Sequence, residues 1–242
     1  HLLRAERDGD VGKLQVSGFG AYTMRTEYGV LFGHEESELG FRRFDPYLTA
    51  RKQPEDALAA RLAQVCEERV FLHPHDLRFY GRDVLMPIGG FNRLIGAEDF
   101  IDTARCGFHI ADDAVGDRIL GLIDDAASRP SGTFIFTVTI ENHGPWSGGL
   151  EEYLYHLRHG DDLLGRMTQA LEQTGRNALL VFYGDHRPSL PDAVMPSATR
   201  HTPVVVKGYG TFSTLSQLNG MSLTPATLHH RIISLIAQNL VS

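Results

Sequence analysis

The chain has 242 residues, 42% of them apolar, a formal charge of −7 and a pI near 5.9. That size and apolar content suit one large α/β domain with a full core, and the acidic balance argues against a nucleic-acid surface, which needs a basic stripe. Two cysteines, Cys66 and Cys106, are too few for a disulfide scaffold and form no metal-spacing motif, and no run of about 18 apolar residues is present to span a membrane.

In chain order, HLLRAERDGDVG reads as the end of a helix running into a turn at Gly9 to Gly12. KLQVSGFGAYTMRTEYGVLFG gives a short strand, a turn at Gly18 and Gly20, and a helix start around Thr23. A hydroxyl at a helix start has two readings. Thr23 or Thr26 can cap orphan amide donors, or Thr23 can be a nucleophile whose charge the helix dipole and free amides stabilise. Residues 34–45 are polar and read as surface loop. Pro54 to Val70 reads as a helix with Leu58, Leu62, Val65 and Cys66 on one face, making Cys66 a core thiol.

VFLHPHDLRFYGRD begins as a strand and ends in His73, His75, Asp76, Tyr80, Arg82 and Asp83, a composition that suits a ligand-binding loop or a solvated turn. His73 and His75 can be read as a metal pair, but no third ligand follows at a regular spacing. MPIGGFNRLIG and the run around Cys106 are loop-rich, and Asp112 to Ser128 is an acid-started helix.

The stretch TFIFTVTIENHGPW (Thr133 to Trp146) is a β-branched, apolar strand that stops at Glu141, Asn142 and His143. ALLVFYGDHRPSL (Ala178 to Leu190) repeats the design with Asp185 and His186. Ligands collect at the carboxyl ends of strands in open α/β sheets, so the two endings mark a site. Ser147 to Gly175 lies between them with helical periodicity and a Gly cap, which predicts a right-handed crossover and a parallel pair. A strand at Pro203 to Lys207 and an amphipathic closing helix at residues 223–240 complete the chain.

AYTMRTEYGVLFG, HPHDLRFYGRD, VTIENHGPW and FYGDHRP, in this order and spacing, resemble the lipoteichoic acid synthase and phosphoglycerol transferase branch of the alkaline phosphatase/sulfatase superfamily. The resemblance implies one sulfatase-like catalytic domain over residues 1–242, with a mostly parallel central sheet and helices on both faces. It implies that Thr23 is nucleophile and metal ligand, that Asp185 and His186 are further ligands, and that the metal is one divalent ion, Mn before Mg or Zn. Arg82 and His143 then hold the substrate phosphate, and His143 is also placed to protonate a leaving oxygen. Tyr80 lies beside the glycerol, and His75 stands where some relatives carry an acid that touches it.

A further Glu ligand, on a strand preceding Thr23 in this family, is expected before residue 1, as is a transmembrane anchor. The implied reaction moves phosphoglycerol, or a related headgroup, from a phosphatidylglycerol-like lipid to a glycan or polymer hydroxyl through a phospho-threonine. Its implied place is the extracytoplasmic face of the bacterial cytoplasmic membrane. A phosphodiesterase or phosphatase of the same superfamily and a degenerate headgroup-binding domain are the alternatives. No Cys-x-Pro-x-Arg run is present to make the formylglycine of a sulfatase.

Overall fold

The computed structural model of the protein describes residues 1–190, 193–212 and 217–241. The chain divides into two compact units, His1–Leu58 with Gly175–Ser242, and Ala59–Thr174. The first opens with α1 (Leu2–Arg7), β1 (Val11–Gln15), β2 (Gly18–Phe19), α2 (Thr23–Phe32) and α3 (Tyr47–Ala50). After α4 (Leu58–Arg61) the second unit contains β3 (Cys66–Leu72), α5 (Arg82–Ile88), β4 (Arg93–Ile95), β5 (Arg105–Cys106) and β6 (His109–Ile110). It continues with α6 (Asp112–Ala127), β7 (Gly132–Thr137) and α7 (Gly149–Thr174). The chain then returns to the first unit with β8 (Ala178–Tyr183), β9 (His186–Arg187), β10 (His201–Tyr209), β11 (Ser222–Leu223) and α8 (Pro225–Val241).

The α/β class expected from the sequence is what the chain adopts. In the second unit the three-stranded sheet, β4-β3-β7, is parallel throughout. The four-stranded sheet of the first unit, β11-β1-β10-β8, is mixed: β1 pairs parallel with β11, whereas β10 pairs antiparallel with both β1 and β8. The parallel pair expected across the long helix does not form among the described residues, because β7 pairs with β3 and β8 with β10. Each of the two ends its sheet, and most of their residues are half-buried where full burial was expected.

The expected helix over residues 54–70 is also broken. A 3₁₀ turn at Pro54–Asp56 and the four-residue α4 give way to β3 at Cys66, so Cys66 is a half-buried strand residue. Arg69 explains the exit from helix: its guanidinium donates to the Cys66 and Glu67 carbonyls (2.6 and 2.9 Å), and its Nε donates to Gly90 O (2.7 Å). Glu68 is then held across the sheet by Arg93 (2.8 Å) and by Arg129. Tertiary pairing overrides the helix preference of the Glu-Glu-Arg run.

Val70, Leu72, Ile95, Phe100, Val115 and Leu122 form the core of the second unit. Each such side chain removed from water contributes about 1.5–3 kcal/mol. α6 and α7 are tied by Arg166, which bonds Asp113 (3.2 Å) and Asp117 (2.5 Å). In the first unit α2 packs on α8 so closely that a Cβ at Gly29 would lie 2.6 Å from Pro225. No described helix is long and apolar enough to cross a membrane.

Candidate active site

α2 begins at Thr23, after Tyr22 takes a left-handed conformation (φ 73°). No side chain caps this helix start. Neither threonine is therefore the N-cap: Thr23 is the first helical residue, half-buried, and its hydroxyl has no protein hydrogen-bond partner among the described residues. Thr26, one turn on and fully buried, donates to the Asp185 carbonyl (2.7 Å) and accepts from the Ser17 amide (3.3 Å). The same two stretches pair as β2 and β9, with Gly18 opposite His186. The structure thus ties the start of α2 to the Asp185–His186 turn, two stretches that lie 159 residues apart at the Thr26–Asp185 bond.

The His186 tautomer follows from its bonds. Nδ1 lies 3.1 Å from the Arg187 carbonyl, which can only accept, so Nδ1 carries the proton and Nε2 keeps its lone pair. Nε2 lies 3.7 Å from an Asp185 carboxylate oxygen. An imidazole fixed in this way beside a carboxylate can serve as a pair of metal ligands. Burial, with Glu27 and Asp185 nearby, pushes the Tyr183 hydroxyl well above its ordinary pKa, so it stays neutral. Thr26→Val removes both bonds of the tie. We expect a loss of about 1–3 kcal/mol in unfolding free energy by urea titration, together with weakened metal binding by isothermal titration.

In the second unit the polar groups after β3 are arranged by backbone strain and stacking. Tyr80 (φ 60°) and Gly81 (φ 64°) are successive left-handed residues, which turn the chain so that Arg82 starts α5. Arg82 is 1% exposed, and its guanidinium lies 5.0 Å from the Tyr80 ring centroid. Asp76, by contrast, is a solvated turn residue: hydrogen bonds from Arg78 hold its carboxyl down at about 2. His75 stacks on His73 (5.6 Å) and meets Phe79 (5.5 Å).

His143 is exposed, with Nδ1 2.7 Å from the Gly144 carbonyl, which leaves Nε2 available to a ligand. Its ring meets His109 edge-on at 5.7 Å. Burial, then His143, His75 and His156, lower the His109 pKa. A cavity of about 260 Å³ lies beside His75 and His109, with Arg105 and Phe108 on its wall. The structure therefore gathers His75 and His143 around His109, a residue that the sequence reading passed over.

A second group was also missed. Glu141, 1% exposed, accepts from the Asp112 amide (2.6 Å), from His156 Nδ1 (3.1 Å) and from His159 Nδ1. Burial works against its charge, but these bonds outweigh it and leave the carboxyl below its ordinary pKa. The neighbouring Asp112 is pushed up to about 7 by burial and by Glu141. Cys106 Sγ lies 3.7 Å from His156 Nδ1, and burial plus the surrounding acids raise its thiol. His156 and His159 sit three residues apart on α7, a helical spacing visible in the sequence, but nothing there linked them to Glu141.

The sequence profile of the sulfatase family matches residues 10–236. The chain belongs to the sulfatase family. Among curated proteins it is similar to the capsular polysaccharide biosynthesis protein RkpI of Rhizobium meliloti (strain 1021), 30% identical over 194 residues, or 76% of this chain and 36% of that protein. The chain thus spans about a third of that relative's length.

Solved structures with this fold include the Streptococcus pyogenes phosphoglycerol transferase GacH in complex with sn-glycerol-1-phosphate, with a TM-score of 0.72 and 19% identity, covering 100% of this chain and 72% of that one. The lipoteichoic acid synthase LtaP from Listeria monocytogenes aligns with a TM-score of 0.76 at 14% identity, covering 97% and 66%. The C-terminal periplasmic domain of EptC from Escherichia coli, a complex with Zn, gives 0.60 at 13%, covering 97% and 74%. These likenesses establish the fold of the alkaline phosphatase/sulfatase superfamily, to which phosphoglycerol transferases belong.

Proposed function

We propose that this sulfatase-family chain is the catalytic domain, spanning residues 1–242, of a metal-dependent phosphoglycerol transferase that acts on a phosphatidylglycerol-like lipid. The observation that carries the reading is the tie between the start of α2 and the Asp185–His186 turn, which brings the helix that begins at Thr23 to the stretch carrying the carboxylate and imidazole donors, while the Thr23 hydroxyl has no hydrogen-bond partner among the described residues. An oxygen, oxygen and nitrogen donor set fits one divalent cation, Mn before Mg or Zn. Such an ion, when bound, lowers the pKa of a coordinated hydroxyl and neutralises phosphoryl charge.

Thr23 Oγ attacks the phosphorus of the headgroup ester and loses its proton to solvent, forming a Thr–O–P bond as the bond to diacylglycerol breaks. The departing oxygen takes a proton from His143 Nε2; a glycan or polymer hydroxyl then attacks the same phosphorus and gives its proton to His143 Nε2, as the Thr–O–P bond breaks and Thr23 Oγ regains a proton from solvent. Arg82 supplies a planar fork for phosphate oxygens, while Tyr80 and His75 contact the glycerol. A glycan acceptor is supported by the likeness to a capsular polysaccharide biosynthesis protein, and an extracytoplasmic setting by the periplasmic domain of similar fold.

The test is to incubate the protein with manganese and phosphatidylglycerol, with and without glycan acceptor. Acceptor-dependent glycerophosphate transfer, and a glycerophosphate adduct on Thr23 when acceptor is omitted, support the reading. Release of free glycerol phosphate at the same rate with and without acceptor would make the domain a hydrolase.

A further inference from the structure

We propose that Cys106, Glu141 and His156 bind a zinc ion, with His159 able to close the shell, at a site that shares no residue with Thr23, Asp185 and His186. Three separate elements deliver these groups. The β5–β6 hairpin turns at Gly107, whose φ of +59° suits glycine, and presents Cys106. The loop after β7 presents Glu141, and one face of α7 presents His156 and His159.

The spacing is that of a coordination shell. The sulfur, the carboxylate oxygen and the imidazole nitrogen all lie within 4.8 Å of one another. Zinc bonds of about 2.3 Å to sulfur and about 2.0–2.1 Å to nitrogen or oxygen, at a tetrahedral angle, place ligand atoms roughly 3.3–3.6 Å apart. The observed separations, 3.7 Å for Cys106 to His156 and 3.1 Å for His156 to Glu141, need adjustment by only a few tenths of an ångström. His159 Nδ1 bonds the same Glu141 oxygen.

An outer-shell acceptor lies close by, a few tenths of an ångström beyond hydrogen-bond range. For His156 Nδ1 to be a ligand, its ring proton must sit on Nε2, and Nε2 lies 3.8 Å from a Glu152 carboxylate oxygen that can receive it. Carboxylate–histidine–metal relays of this kind fix the ring and raise its basicity. Glu152 is itself held by the Gly148 amide at 2.6 Å. One thiolate and one carboxylate balance the charge of a divalent ion, and a mixed sulfur, nitrogen and oxygen set selects zinc over magnesium or calcium. Binding releases the Cys106 thiol proton to solvent. Because Asn142 and His143 follow Glu141 directly, zinc would clamp the loop that carries His143.

Cobalt titration of the metal-free protein tests this. Thiolate-to-cobalt charge transfer should appear in the wild type and in Asp185→Ala, saturate near about one equivalent in Asp185→Ala, bleach on adding zinc, and be absent in Cys106→Ser. On the wild type alone, zinc should slow alkylation of Cys106 by about tenfold or more while leaving Cys66 unchanged. Absence of the charge-transfer band in the wild type, its survival in Cys106→Ser, or unprotected Cys106 would overturn the site and leave a hydrogen-bonded anchor only. Neither readout uses transfer activity, so failure here leaves the transferase reading standing, and failure of that reading leaves this one standing.

Discussion

Thr23→Ala is expected to lower phosphoglycerol transfer by roughly 10⁴-fold or more, the scale of losing a covalent nucleophile that acts with its partners as a unit. Stability should hardly move. Thr23 is the first residue of α2, half-buried, with no hydrogen-bond partner among the described residues, and alanine is the better helix former there. The change should therefore stay within about 0.5 kcal/mol by thermal melting. Thr23→Ser keeps a hydroxyl and should retain measurable transfer and the trapped adduct. This pattern separates a nucleophile from a structural residue, because a structural threonine would lose stability and activity together. Near-normal turnover in Thr23→Ala would remove the covalent mechanism, whatever the metal content of the variant.

Much of this arrangement was legible in the sequence, and the reason is local. The glycine turn before Thr23 and the apolar runs before Asp185 and after Gly132 are signals carried by a few consecutive residues, and α2, β7 and β8 form where those signals lie. The helices Asp112–Ala127, Gly149–Thr174 and Pro225–Val241 follow their periodicity in the same way. What was illegible depends on partners distant in the chain. β8 finds β10 rather than β7, and residues 66–69 become strand because Arg69, Arg93 and Arg129 hold them there. The loop-rich reading of residues 86–96 missed β4 for a related cause: three residues are too few to show a period, and only pairing with β3 defines them. The residue types of the site were visible, whereas the role of Thr26 as tie rather than cap appears only once Asp185 is folded onto it.

Glu141 is the clearest case of a residue whose weight is invisible in sequence, and replacing it should destabilise the second unit as much as emptying a core position does. Its carboxylate, 1% exposed, receives the Asp112 amide, His156 and His159, so one side chain joins the loop after β7 to α6 and α7. Glu141→Ala leaves the buried Asp112 amide and His156 and the half-buried His159 without their acceptor, and we expect a loss of about 3–5 kcal/mol. Glu141→Gln keeps one acceptor oxygen but turns an amide donor toward donors, and should cost about 1–3 kcal/mol. Trp146, the single tryptophan, reports on this loop: its indole bonds Asn142 Oδ1 (3.1 Å) and packs on Tyr153 (5.2 Å). Urea titration followed by its fluorescence, with chelator present, measures the carboxylate apart from any bound zinc. A midpoint shift with unchanged slope is the expected form. Because Asn142 and His143 are carried on the same loop, transfer should fall in parallel with stability. A loss below about 1 kcal/mol in Glu141→Ala would mean that the three donors find water or other partners, and that the carboxylate does not anchor the loop.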